Sequence, residues 1–283
     1  MIICVVGPTG VGKTKLSEEL ATKYDAIVVN CDAMQVYKEL DIGTAKIKEE
    51  EKKAKEHYLF DIKSPNEEYS VYDYQKDVRK ILDDNKNRNI ILVGGTGLYL
   101  KSGLFKYEFN DFPEKNEYDG YSNEELYDML QNTGFSGEIH VNNRRRLISK
   151  LNFPINSGLK DVLLYSDVYF IGLTAPKDVL YEKINSRVDK MVEEGLFEEV
   201  RRVYDKYGKV RVLNRGIGYK EIIAYFEGKI TYEETLRLIK QLSRKYAKRQ
   251  YTWFNHQMNI KWVETDYDNF DKTIEEIEEY IEK

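Results

Sequence analysis

Short apolar runs rich in β-branched residues recur at wide intervals along the chain: MIICVV at the start, AIVVNCD from Ala26, NIILVGG from Asn89, VYFIGLT from Val168 and IKWVET from Ile260. Several lack polar alternation, the pattern of strands covered on both faces. Longer segments of helical periodicity separate them. Together they predict an α/β fold, a parallel sheet with helices on both faces. Around Asn110 the texture changes to NDFPEKNEYDGYSN, polar and turn-rich, followed by helix-like EELYDMLQN and NNRRRLISKL. Strand pattern resumes only at VYFIGLT. A small helical insertion is therefore expected at 110–153, inside a core formed by 1–109 and 154–283. After Pro176 the pattern is helical almost to the end. In TYEETLRLIKQLSRKYAKRQYTWF, Leu236, Ile239, Leu242 and Tyr246 share one stripe, and Arg237, Lys240, Arg244 and Lys248 share another. No internal repeat or low-complexity tract is evident.

Composition narrows the class. Of the 283 residues, 41% are hydrophobic and 33% charged, the balance of a soluble globular protein. No apolar run approaches the ~18 residues of a membrane span, and the N-terminus enters a strand with no basic leader. Cys4 and Cys31 sit in apolar strand-like runs without C-x-x-C spacing, as reduced core residues of a cytoplasmic protein do. His57, His140 and His256 are scattered, so no zinc site is predicted. The net charge of −5 does not advertise a nucleic-acid binder, but its distribution is uneven. Between Arg201 and Lys220 lie seven basic residues (Arg201, Arg202, Lys206, Lys209, Arg211, Arg215, Lys220) and one acid, Asp205. From Glu264 onward there are nine acids and two lysines. Such segregation allows a positive face on an acidic protein, although a single charge run also suits a solvated helix face.

The candidate chemistry begins at GPTGVGKT. Gly7, Pro8, Thr9, Gly10, Val11 and Gly12 follow a strand, and Lys13 and Thr14 open a helix, which is the setting of a phosphate-binding P-loop. Backbone amides of the turn and the helix N-terminus point at one anion, Lys13 adds a mobile charge, and the Thr14 hydroxyl is suited to Mg²⁺. The motif predicts a di- or triphosphate ligand in a P-loop NTPase-like fold, without specifying ATP. A motor or switch NTPase adds an acid at the end of a later apolar strand. Here NIILVGGTG ends in glycines and Thr96, and the nearest acid, Asp61 in YLFDI, suits a structural role. Asp32 instead ends the second strand, beside the P-loop in a doubly wound sheet, where such sheets bind ligands. A carboxylate there can repel phosphate, bind a cation or take a proton from a nucleophile. The plainer reading of an Asp after a strand is a helix or turn cap.

Six motifs occur in one order: GPTGVGKT, DAMQVYKELDIGTAK, LVGGTGLYLKSGLF, HVNNRRRL, NRGIGYKE and AKRQYTWF. Together they resemble the tRNA isopentenyltransferase (tRNA dimethylallyltransferase) family, from Gly7 to Phe254. The resemblance implies transfer of a dimethylallyl group from dimethylallyl diphosphate to the amine of the adenine 3′ of the tRNA anticodon. The P-loop would then hold a diphosphate leaving group, with Mg²⁺ as cofactor. By the same resemblance Asp32 takes the amine proton, Thr96 donates to the bridging oxygen, and Lys13 and Arg215 stabilise the departing charge. The extruded base is expected near Asp32, Ala33, Met34 and Gln35, and tRNA contacts from Arg145, Arg146, Arg244, Lys248, Arg249 and Gln250. Tyr251, Trp253 and Phe254 suit core packing better than base stacking. Ala33 stands where the family usually has Ser, Ser149 where it has Arg, and the insertion is shorter than usual. No C-terminal zinc finger is appended, as in the bacterial form. The expected partners are tRNA, through its anticodon stem-loop, and dimethylallyl diphosphate, for a cytoplasmic monomer with no membrane association. Two alternatives remain: an adenylate isopentenyltransferase, disfavoured by AKRQYTWF, and a P-loop kinase or ATP-binding module, disfavoured by the missing second acid.

Overall fold

The computed structural model describes residues 1–107, 118–135, 137–152 and 162–283. The side chains of Arg145, Ser149 and Asn152 also lie outside the described set. In chain order the elements are β1 (Ile2–Val6), α1 (Lys13–Lys23), β2 (Ile27–Asn30), β3 (His57–Tyr58), α2 (Val71–Asp84), β4 (Ile90–Val93) and α3 (Gly97–Leu104). There follow α4 (Asn123–Asn132), α5 (Arg144–Asn152), β5 (Val168–Thr174), α6 (Lys177–Glu193) and α7 (Leu196–Tyr207). The last elements are α8 (Arg211–Arg215), α9 (Tyr219–Phe226), α10 (Tyr232–Gln257), β6 (Lys261–Glu264) and α11 (Phe270–Ile281). Among the described residues no helix is long and apolar enough to cross a membrane.

The strands form one parallel sheet in the order β3-β2-β4-β1-β5-β6. Every residue of β1, β2 and β4 is buried, which is why their sequences run apolar without alternation. One set of alternate positions, including Ile3, Val5, Val28, Ile91, Val93, Ile171 and Leu173, packs on Leu16 and Leu20 of α1 and on Phe270, Ile277 and Ile281 of α11. Because the sheet is parallel, the carboxyl ends of β1, β2 and β4 open on one edge. That places the P-loop, Asp32 and the Gly94–Gly95–Thr96 turn together. Two-residue β3 was not legible as a strand, since periodicity needs a longer window. Its His57 instead meets a buried partner, with Nε2 2.8 Å from Glu18 Oε1.

The described residues divide into two compact units, Met1–Gly103 with Tyr165–Lys283, and Leu104–Leu164. The smaller unit runs wider than 110–153, because its two ends meet at the Phe105↔Leu163 bridge. Its own core is Leu126, Leu130, Ile139 and Leu147, carried by α4, α5 and the loop between them. The Arg144 guanidinium donates to the Tyr118 and Tyr121 carbonyls, both at 2.6 Å, and so ties α5 to the entry of α4. Ser122 caps α4 by accepting from the Glu125 amide while the Glu125 carboxylate accepts from the Ser122 amide.

Candidate active site

Helix α1 begins without a side-chain cap. Ser70, Ser122 and Thr231 cap α2, α4 and α10 with side-chain oxygens. The N-cap of α1 is Gly12, at φ 91°, with no side-chain cap and no acid in the first turn. Only glycine holds that left-handed conformation without strain, and the first-turn amides are left for an anion from outside. From the far side the loop is braced by the chain after β6. Thr265 Oγ1 donates to the Val11 carbonyl at 2.9 Å, and the Tyr267 hydroxyl donates to the Gly10 carbonyl at 3.2 Å.

A cleft of about 540 Å³ opens over this loop, within the range of small-molecule sites. Of the expected phosphate loop, Thr9, Gly10, Gly12, Lys13 and Thr14 line it, and Gly7, Pro8 and Val11 complete the turn. Lys13 Nζ donates to the Pro8 carbonyl at 2.8 Å. Burial, then the neighbouring Arg187 guanidinium, push the Lys13 ammonium down to about 7, against the pull of Asp32. Arg187 comes from α6 and was not foreseen. It follows Ile184 on the cleft-facing stripe of that helix, with Lys183, Val188 and Met191 beside it. Burial lowers its pKa and Asp32 opposes the shift, yet a guanidinium remains charged. An arginine placed among Leu180, Ile184 and Val188 on an apolar face was the available signal.

Asp32 is held by its own turn. Its amide donates to Asn30 Oδ1 at 2.9 Å, and its Oδ1 accepts from the Met34 amide at 2.9 Å. Buried Asn30 also donates to the Asp32 and Leu59 carbonyls. No cation pairs with Asp32 among the described residues, and it faces the cleft with Met34 and Gln35. Thr96 stands one layer back. Its amide donates to the Cys31 carbonyl at 3.1 Å, and its Oγ1 accepts from the Ala33 amide at 3.0 Å. The hydroxyl is thus anchored to the Asp32 turn, and it also bonds the Tyr246 hydroxyl of α10. Asp61, the weak acid candidate, pairs with Lys46 at the protein surface, as does Asp41.

Gln250 departs from the expected tRNA contact. It is 5% exposed, accepts the Thr9 amide at 3.0 Å and donates to the Gly95 carbonyl at 3.1 Å. It therefore brackets the P-loop to the glycine turn, and the Thr9 amide is not available to an anion. The basic stripe of α10 also differs from expectation. Lys240 pairs with Asp189, and Arg244 bonds Asn185 Oδ1 and lies over the Tyr181 ring, so both face α6. Lys248 and Arg249 remain exposed, and Arg249 and Arg215 line the cleft. In the 201–220 basic run Lys206 pairs with Glu39, Lys209 with Glu227 and Arg211 with Glu68. Phe254 is core and Trp253 packs on Gly97, as the packing alternative required. Tyr251 is partly exposed against the Trp262 ring. In the inserted unit Arg146 is exposed, and the side chains of Arg145 and Ser149 lie outside the described residues.

The profile of a family described as IPP transferase matches residues 35–257. A tRNA dimethylallyltransferase of Anoxybacillus flavithermus is 43% identical, over 99% of this chain and 96% of its own length. The solved tRNA isopentenylpyrophosphate transferase of Bacillus halodurans is 39% identical, covering 99% of this chain and 95% of that one, with a TM-score of 0.77. A eukaryotic dimethylallyltransferase solved while acting on tRNA is 26% identical, covering 98% of this chain and 77% of that one, with a TM-score of 0.83. Identity of this order across both full lengths, on one sheet and one phosphate loop, shows that the chain belongs to the IPP transferase family.

Proposed function

We propose that this enzyme transfers the dimethylallyl group of dimethylallyl diphosphate to the exocyclic amine of the adenine 3′ of a tRNA anticodon, releasing diphosphate. The observation that carries this reading is one cleft holding two opposed chemistries. Lys13, Thr14, Arg187 and the α1 N-terminus favour a polyanion, and Asp32, free of any cation partner among the described residues, faces the same space. In the reaction the nitrogen–carbon bond forms as the allylic carbon–oxygen bond breaks. The electron pair leaves with the diphosphate, and the amine proton passes to Asp32. Donors already fixed where that charge develops need no reorganisation, and a positioned base supplies ~10²–10⁴ of the rate. Arg215, exposed at the cleft edge, adds charge to the leaving group, and the Thr96 hydroxyl exchanges its bond to Tyr246 for one to the bridging oxygen once the donor is bound.

Thr14 fits Mg²⁺, because a single hard hydroxyl beside a diphosphate is how this ion is commonly held, with water completing its shell. When bound it supplies further neutralisation of the leaving group. Gln35, Met34 and Ala33 flank the acceptor base, and Arg249 and Lys248 contact RNA phosphates. Arg145 and Arg146 of the inserted unit contact the anticodon stem. The protein works in the cytoplasm, where its RNA is made, and as a monomer, since one chain carries both ends of the cleft. Pyrophosphate release from dimethylallyl diphosphate, measured with an anticodon stem-loop, with AMP and with no acceptor, tests the reading. Release only with the stem-loop supports it. Release with AMP, or hydrolysis of ATP in place of transfer, overturns it.

A further inference from the structure

Glu199 on α7 is 2% exposed and takes no part in the chemistry above. No cation pairs with it among the described residues. Its Oε2 accepts from the amides of Asp41 and Ile42 at 2.8 and 2.7 Å. Its Oε1 accepts from the Gly43 amide at 3.0 Å and the Tyr219 hydroxyl at 2.7 Å. Three consecutive amides converging on one carboxylate make an anion nest whose anion is built into the protein. The loop that Glu199 holds is a wall of the cleft, since Gly43, Thr44 and Ala45 line it. The carbonyls of Thr44 and Ala45 in turn accept from Gln35 Nε2, at 3.0 and 3.3 Å. Tyr219 reaches the same wall from the other side. A Cβ on Gly43 or on Gly216, next to Arg215, would lie 2.6 Å from its ring, so both glycines are in contact with it.

We infer that Glu199 is a positioning residue for the acceptor side of the cleft, acting through the 41–45 loop on Gln35. The inference rests on the proposed function, which sets Gln35 beside the acceptor base. The arrangement has a directional consequence. The phosphate end is built from the P-loop, α6 and Arg215, none of which bonds to Glu199, so disturbing the carboxylate should alter acceptor recognition and spare the donor. Glu199→Gln replaces one oxygen by an NH₂ group that faces amides needing an acceptor, leaving buried donors unsatisfied at nearly unchanged volume.

The test measures the stem-loop KM by initial rates and dimethylallyl diphosphate Kd by direct titration. Glu199→Gln should raise the stem-loop KM roughly tenfold while the donor Kd stays within about twofold. In a Gln35→Ala background the same change should add less than about twofold, because the two residues act in series. Tyr219→Phe keeps the carboxylate and removes one donor, and should show the same split at about threefold, so a poorly folding Glu199→Gln does not end the test. Parallel losses of donor and acceptor binding, or an effect that adds fully to that of Gln35→Ala, overturn the inference. A wild-type protein that fails to release pyrophosphate in response to the stem-loop overturns the proposed function and this inference together. A normal wild type with no split in the variants overturns the inference alone.

Discussion

At the scale of single residues, Lys13 and Asp32 line one cleft, and the proposed function gives Lys13 the donor and Asp32 the acceptor. With Lys13 pushed down to about 7, a large share of the ammonium is deprotonated near neutral pH when no anion is bound. A diphosphate favours the charged form and raises that pKa again, so donor binding takes up a proton. Affinity is therefore strongest below pH 7 and falls as pH rises above it, by up to about tenfold per unit. The last ionisation of the donor itself is nearly complete there, since phosphate esters ionise near pH ~6, and does not reverse the trend. Titrations of dimethylallyl diphosphate between neutral and alkaline pH should show this slope for wild type and a flat line for Lys13→Arg. Equal slopes would remove Lys13 as the titrating group. Asp32 is proposed for the chemical step. Asp32→Ala is expected to lower kcat ~10²–10⁴-fold and to leave stem-loop affinity within a few-fold. Near-normal turnover in that variant would take the base role away from it.

At the scale of elements, α10 presents three faces to different surroundings. Its buried face contributes Gln250, whose amide joins the P-loop to the glycine turn after β4. Gln250→Leu keeps the size but leaves the Thr9 amide and the Gly95 carbonyl without partners, at about 1–3 kcal/mol for each buried group. Both stability and donor affinity should fall, and calorimetry beside a donor titration reads the two together. A lowered melting temperature with unchanged donor affinity would reduce the bracket to scaffold. The second face meets α6 through Lys240–Asp189 and Arg244–Asn185. Arg244→Ala should therefore cost stability without changing how RNA binding responds to salt. The third face, with Lys248 and Arg249, is exposed and is the one left for phosphate.

At the scale of the whole molecule, a protein of net charge −5 must attract RNA locally, because its overall field is repulsive. Exposed Arg215 and Arg249 line the cleft and exposed Lys248 adjoins Arg249, whereas Lys206, Lys209, Arg211 and Lys240 are paired with acids. Removing Lys248 or Arg249 should weaken anticodon stem-loop binding and flatten log K against log[salt] by roughly 0.7–0.9 for each phosphate no longer neutralised. Arg244→Ala is the internal comparison and should leave the slope unchanged. Stem-loop titrations at several salt concentrations distinguish these outcomes, and parallel slopes throughout would mean that the α10 cations do not meet phosphate.

What the sequence by itself determined is everything carried by local pattern. β1, β2 and β4 are apolar throughout because both their faces are covered, so their runs are visible without a partner strand in view. The phosphate loop is equally local, since Gly12 and Lys13 act through the turn that they themselves form. Asp32 was legible as the residue ending an apolar strand beside that loop. Tertiary structure decided what each face meets. Helical phase shows that Lys240 and Arg244 share a stripe, but only packing reveals that Asp189 and Asn185, 51 and 59 residues earlier, occupy it. Arg187 becomes part of the site because α6 lies over the phosphate loop, and Gln250 becomes a bracket because two loops approach it from opposite sides. Glu199 lies in FEEV, where a carboxylate looks solvated. Its burial follows from three amides of a loop more than 150 residues away, which together replace the water that a lone charge would otherwise need.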